Sequence, residues 1–236
     1  MLFKKNQLPS ATAIIVAAGS GTRMGSNVNK QFIMIDNMPV LAHTLLNFQN
    51  AKTIESIIIV TKPESILTVS DLAREFGITK VAHIVPGGAT RQESVSCGLA
   101  LSENGRLVAI HDGARPFVSP EKIDELVLAA EKYGSSAPGV VPKDTVKSVT
   151  ASSNVLETID RNSLRLIQTP QVFHADELKL AFLRAAESGF EGTDDCSVAE
   201  FAGFQVHIVD GEYTNIKVTT PEDLPVAEAI YNFLKK

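Results

Sequence analysis

Cations recur beside glycine turns along this chain. The stretch "AAGSGTRMG", residues 17–25, ends a short apolar run in small residues and sets Arg23 just after Gly21; Lys30 follows in "NKQF". Glycines such as Gly19 and Gly21 let backbone N–H groups come close to a phosphate, and an arginine fork adds full charge where N–H groups supply only partial charge. The spacing is neither the dinucleotide G-x-G-x-x-G nor the G-K-[ST] ending of a P-loop. Thr61 and Lys62 stand where a dinucleotide fold would put a ribose-binding acid. The chemistry suggested is the holding of a reacting polyphosphate; the plainer reading is a tight turn with two solvated cations.

Five other segments carry similar signals. "VPGGATRQESVSCGL", residues 85–99, is a second glycine turn, in which Gly88 could approach a flat base and Ser94 could bond its edge. A simple strand-to-helix turn fits that spacing equally well, and Arg91 reads as a charge-pairing residue. In "LVAIHDGARPFV" an apolar strand ends at His111 and Asp112, before Gly113 and Arg115. A carboxylate at a strand's carboxyl end, opposite a phosphate loop, suits Mg²⁺, while His111 reads as structural and Arg115 as an ion-pair partner or anion contact. Arg161 and Arg165 precede Thr169, a set that reads as phosphate or polyol contacts or as surface ion pairs. "GTDDCSVAE" reads as a helix start, with Thr193 as N-cap and Asp194 and Asp195 in the first turn. Lys217 lies in "NIKVTTPEDL", where Thr220, Pro221 and Asp223 approximate a capping box.

These residues must be positioned by the elements between them. Strand patterns at 12–17, 56–61, 81–85, 107–111, 137–141 and 205–209 alternate with helix patterns at 39–50, 63–76, 90–102, 120–133, 176–188, 194–201 and 221–234. Short apolar strands between amphipathic helices predict an α/β fold with a mostly parallel sheet covered on both faces. Ligands of such sheets sit beyond the carboxyl ends of the strands, which is where the glycines and cations fall. Residues 145–159 break the rhythm: two β-prone runs flank "ASSN", predicting a hairpin that must rest on its own domain or on a partner. With 236 residues, 44% of them hydrophobic, the chain reads as one domain, 1–236, bearing an arm.

A net charge of −5 argues against broad nucleic-acid binding. Two cysteines, Cys97 and Cys196, make no disulfide framework, and no apolar run approaches a membrane span. The expected setting is the cytoplasm.

Together, "AAGSGTRMG", "KQF", "GGATRQESV", "HDGARPFV", "KDTVK", "DRNSL", "QTPQVF", "GTDDCS" and "NIKVTTPEDL" resemble the 2-C-methyl-D-erythritol 4-phosphate cytidylyltransferases. The resemblance implies a Rossmann-like nucleotidyltransferase fold, Mg²⁺ or another divalent cation, and a homodimer joined by an arm at about 142–166. It implies that Arg23 and Lys30 meet the CTP phosphates, and that Ala17, Ala18, Gly19, Gly21, Gly88, Ser94 and Gly113 surround the nucleotide. Asp112 would lie beside metal and substrate. Arg115, Thr169, Thr193, Lys217 and Arg161 of the partner subunit would hold the polyol phosphate. Ala89 stands where many relatives carry an acid. Ribitol-5-phosphate cytidylyltransferases resemble the chain too, but tend to have serine-valine where Gly113-Ala114 stands here. A non-catalytic CTP-binding module is the reading from another class.

Overall fold

A computed structural model describes residues 8–19 and 30–235, with only the backbone of Lys30. Strand β1 (Ala11–Ala17) is the centre of the fold. It is flanked in parallel by β4 (Ile54–Thr61), with β5 (Val81–Pro86) beyond, and on its other side by β6 (Leu107–Asp112). Next to β6 runs β11 (Gln171–His174), antiparallel, and then β7 (Ser135–Val140). The short β10 (Leu166–Ile167) pairs with the same side of β7 as β11, and β12 (His207–Asp210) pairs in parallel with its far side. The sheet is therefore mostly parallel, as expected, with one reversed strand broken between β10 and β11.

Period-2 alternation sorts β1 onto two faces. Ala13, Ile15 and Ala17 pack with α1 (Val40–Asn50), α2 (Ile66–Glu75) and α4 (Pro120–Tyr133). Ile14 packs with α3 (Arg91–Leu99), α5 (Ala175–Ser188) and α6 (Asp195–Phe201). Helix α3 lies so close that a Cβ at Gly98 would collide with Ile14. The fully buried Ile14, Ile15, Ile58, Ile59 and Phe48 each contribute ~1.5–3 kcal/mol of transfer free energy. A small third cluster seats α7 (Asp223–Leu234) through Ala227 against Ile35, Val40, Phe117 and Val218.

Two small sheets lie apart. The first pairs β2 (Met34–Ile35) with β3 (Met38–Pro39), turning through Asp36 and Asn37, both at positive φ as a tight hairpin turn requires. The second is the expected hairpin, β8 (Val146–Val149) with β9 (Val155–Ile159), which leaves Val149, Val155 and Leu156 exposed. Among the described residues no helix is long and apolar enough to cross a membrane.

Some boundaries differ from expectation. Helix α6 is capped by Asp194, in a reciprocal box with Ser197, and not by Thr193. A carboxylate accepts the Ser197 N–H at 2.9 Å, leaving the exposed Thr193 outside. Helix α7 begins at Asp223 and not Pro221, because the Asp223 carboxylate folds back to accept the N–H groups of Thr219 and Thr220 at 2.7 and 2.9 Å. The strands β10 and β11 were not expected at all: they are too short to show a pattern.

Candidate active site

The carboxyl ends of β1, β5 and β6 open onto a cleft of about 340 Å³, lined among others by Ala18, Gly19, Gly88, Ser94, Asp112 and Lys217. The loop after β5 is compact. A Cβ at Gly87 would come within 2.6 Å of Ala18 and 2.7 Å of the Ser94 hydroxyl, so only glycine lets the two loops meet. Thr90 caps α3 in a reciprocal box with Glu93, whose carboxylate also accepts the Ala89 N–H at 2.6 Å. The Ser94 hydroxyl donates to the Thr90 carbonyl at 2.9 Å.

Asp112 ends β6 and is the hub of the polar site. Arg91 Nε lies 3.2 Å from its Oδ1; Lys217 Nζ lies 2.8 Å, and Arg115 Nε 3.6 Å, from its Oδ2. Burial alone would raise the Asp112 pKa, but Arg91, Lys217 and Arg115 hold it below the usual carboxylate range. Arg91 also forks onto Asp195, Nη1 to Oδ1 at 2.9 Å and Nη2 to Oδ2 at 2.8 Å. Burial would lower the Arg91 guanidinium; the carboxylates of Asp195 and Asp112 outweigh it and keep it charged. The expected charge-pairing role of Arg91 is what the geometry contains.

A chain of hydrogen bonds fixes the hub from behind. The Asp112 N–H donates to Thr169 Oγ1 at 3.2 Å, and Thr169 Oγ1 meets His111 Nδ1 at 2.9 Å. His111 Nε2 lies 3.1 Å from the Arg115 carbonyl, which can only accept. Nε2 therefore carries the proton, and Nδ1 accepts from the threonine hydroxyl. Phe48 packs on the ring at 4.8 Å, and burial pushes the His111 pKa down to about 4. His111 is thus a structural residue, neutral at pH 7. Lys217 is brought in from the far end of the chain: the Val218 N–H donates to the Ala114 carbonyl at 2.9 Å, Asn215 to the Thr169 carbonyl at 2.9 Å, and Arg115 to the Asn215 carbonyl at 2.9 Å.

Of the residues singled out in the sequence, Ala18, Gly19, Gly88, Ser94, Asp112 and Lys217 come together in the cleft. Ala17, Gly113 and Thr169 are buried around it, and the Gly113 N–H donates to the Val16 carbonyl at 2.9 Å. Arg161 is exposed at the foot of the hairpin, donating to the Lys143 carbonyl at 2.6 Å; neither it nor Thr193 lines the cleft. Gly21 and Arg23 lie outside the described residues, as does the Lys30 side chain, whose backbone opens the 3₁₀ turn Lys30–Phe32. Sequence reasoning missed the part Asp195 plays, taking it for a helix-dipole residue. One signal was available: Arg91 occupies a first helical turn, where the dipole disfavours a cation, so it needed acidic partners.

Asp112 does not fit the metal-ligand reading as a protein-held site. It is the one carboxylate among the described residues that line the cleft, and its two oxygens already face three cations. Among the described residues no three His, Cys, Asp or Glu side chains are grouped to hold a metal ion.

A glycine-lined cleft at the carboxyl edge of a mostly parallel sheet, with three cations gathered on one carboxylate, is the place and the charge with which open α/β sheets hold anionic ligands. The family model described as 2-C-methyl-D-erythritol 4-phosphate cytidylyltransferase matches residues 11–232. The curated protein of that name from Clostridium novyi is 43% identical over 94% of this chain and 97% of its own. That from Bacillus cereus is 45% identical over 95% and 99%. The crystal structure of 4-diphosphocytidyl-2C-methyl-D-erythritol synthase from Anaerococcus prevotii superposes with a TM-score of 0.85 at 33% identity, covering 97% of each chain. The chain belongs to the 2-C-methyl-D-erythritol 4-phosphate cytidylyltransferase family, enzymes of isoprenoid biosynthesis that transfer a nucleotidyl group from CTP.

Proposed function

We propose that the cleft joins CTP to 2-C-methyl-D-erythritol 4-phosphate, releasing pyrophosphate and 4-diphosphocytidyl-2-C-methyl-D-erythritol. The observation that carries this reading is the Asp112 hub: three cations gathered on one carboxylate beside a glycine-lined cleft. A phosphomonoester has a second pKa near ~6, so the attacking oxygen is already largely ionised at neutral pH. No general base is needed, in keeping with a His111 that is buried and neutral. The obstacle is bringing a dianion against a polyanion. Catalysis then rests on positioning and fixed charge.

In this reading Arg23 and Lys30 stabilise the reacting CTP phosphates. Ala17, Ala18, Gly19, Gly21, Gly88, Ser94 and Gly113 hold the nucleoside and its phosphates through backbone groups and close packing. Lys217, only partly buried and held by Asp112, presents its ammonium to the incoming phosphate, with Arg115 behind it. Thr169, buried beside the cleft, and Thr193, outside its lining, stand as polyol contacts on the family resemblance alone. Mg²⁺, or another divalent cation, travels with the CTP phosphates, which supply the oxygen ligands that a lone carboxylate cannot.

The hairpin reading extends to assembly. A two-stranded hairpin with Val149, Val155 and Leu156 exposed is marginal alone, and pairing across a twofold axis would cover it. The arm at about 142–166 would then bring Arg161 of the partner subunit to the acceptor site. One domain, 1–236, working as a cytoplasmic homodimer, completes the reading.

The test is pyrophosphate release with CTP, Mg²⁺ and one acceptor at a time. Methylerythritol phosphate should support turnover, ribitol 5-phosphate should not, UTP should be poor, and a chelator should abolish the reaction until Mg²⁺ is restored. Nucleotide binding without turnover with either acceptor would leave only a CTP-binding module.

A further inference from the structure

Asp195 is buried to 1% exposure on the first turn of α6, more than a hundred residues along the chain from the arginine it binds, and its carboxylate opens onto no part of the cleft. It takes both terminal nitrogens of Arg91 end-on, so only the Nε edge of that guanidinium is left for Asp112. An arginine fork is planar and rigid, so fixing its end fixes its edge. Asp112 then receives Arg91 as a single contact on Oδ1, and Oδ2 stays open to Lys217 at 2.8 Å.

We infer that Asp195 is a positioning residue for the acceptor phosphate: by occupying the fork of Arg91, it reserves one oxygen of Asp112 for Lys217 and so sets where that ammonium stands in the cleft. Without the Asp195 charge, the best geometry open to Arg91 is a bidentate pair with Asp112, since fork-to-carboxylate pairing is the stronger arrangement. Lys217 would then lose its place. The charge tally points the same way. Arg91, Arg115 and Lys217 face Asp112 and Asp195, a surplus of one positive charge on the side that would take the acceptor's dianion. The nucleotide side is built separately: the Thr90–Glu93 box and the Gly87–Ser94 contact make no use of Asp195.

This inference rests on the proposed acceptor site, and the experiment separates the two. Asp195→Asn keeps the shape and removes the charge; Asp195→Glu keeps the charge and shifts it by one methylene. Steady-state kinetics are measured against methylerythritol phosphate at saturating CTP, and against CTP at saturating acceptor, with thermal unfolding alongside. Asp195→Asn should raise the KM for the acceptor by about tenfold or more and leave the KM for CTP within about twofold, with Asp195→Glu in between. Adding either change to Lys217→Met should cost little further activity, because residues that act as one unit are not additive. A merely structural role would lower the unfolding temperature and multiply with the Lys217 change. If Asp195→Asn does not fold, Asp195→Glu carries the same comparisons. Wild-type acceptor kinetics in the variants, or fully multiplicative losses, overturn the inference. A wild-type protein that releases no pyrophosphate overturns instead the functional reading beneath it.

Discussion

Acidification should weaken this fold through one buried ring. His111 is wholly buried, accepts from Thr169 through Nδ1 and donates to the Arg115 carbonyl through Nε2. Burial lowers its pKa from 6.5 to about 4. Between those values the unfolded chain binds a proton that the native ring refuses. Stability is therefore fully present above about pH 6.5, falls as the pH drops, and stops falling near about pH 4, where the native ring also protonates. At ~1.4 kcal/mol per pH unit, the loss across that window is roughly 3 kcal/mol, a large share of a typical ~5–15 kcal/mol. His43, whose pKa burial also lowers, adds to the loss with the same sign. Asp112 acts at lower pH: its stabilisation is present above the ordinary carboxylate value and is lost only as the pH falls through its depressed one. The assay is urea unfolding of the wild type and His111→Asn from about pH 7 down to about pH 4.5. The variant should be less stable at neutral pH, having lost part of the relay behind Asp112. The difference between the two should shrink by ~2–3 kcal/mol on acidification, since only the wild type carries the linkage. A gap that stays constant with pH would mean that the native ring titrates as it does in the unfolded chain, and the account of a neutral, buried relay would fail.

Two further outcomes concern the cations. Lys217→Ala should lower kcat/KM for the acceptor by ~10²–10³-fold, as for the loss of one preorganised charge; an unchanged value would remove Lys217 from the acceptor site. Arg161→Ala and Lys30→Ala, each inactive alone, should complement when mixed. About half the dimers would be mixed, each with one intact site, so activity should recover to roughly a quarter of wild type per total site; no recovery after verified subunit exchange would mean that Arg161 serves its own subunit.

The elements of the fold were largely legible because their signals are local. An apolar run such as Ile54–Thr61, or an amphipathic one such as Pro120–Tyr133, announces itself within a few residues, and proline at the start of α4 marks its first turn. The glycine turns were legible for the same reason, a glycine pair after an apolar run being a local mark, while the approach of Gly87 to Ala18 is set by the fold. The reversed strand was not, since Leu166–Ile167 and Gln171–His174 are too short to show a period and are held by pairing with β6 and β7, distant in the chain. Cap choice was misread at Thr193 and at the start of α7. Thr193, Asp194, Thr220 and Asp223 can all accept N–H groups, and small differences in loop path select among them.

By itself, the sequence determined which chemical groups stand at the ends of the strands: glycines, Asp112, and the cations Arg91, Arg115 and Lys217. It could not say which of them pair. Arg91 meets Asp112 across 21 residues of chain and Asp195 across 104, and Thr169 reaches back 57 residues to the Asp112 amide. A charge carries no sequence mark of its partner, because Coulomb attraction acts through space and every exposed carboxylate offers it equally. Only the packed sheet, which seats β6 between β1 and β11 and draws the segment before α7 against Ala114, brings five charged side chains together and makes them a site.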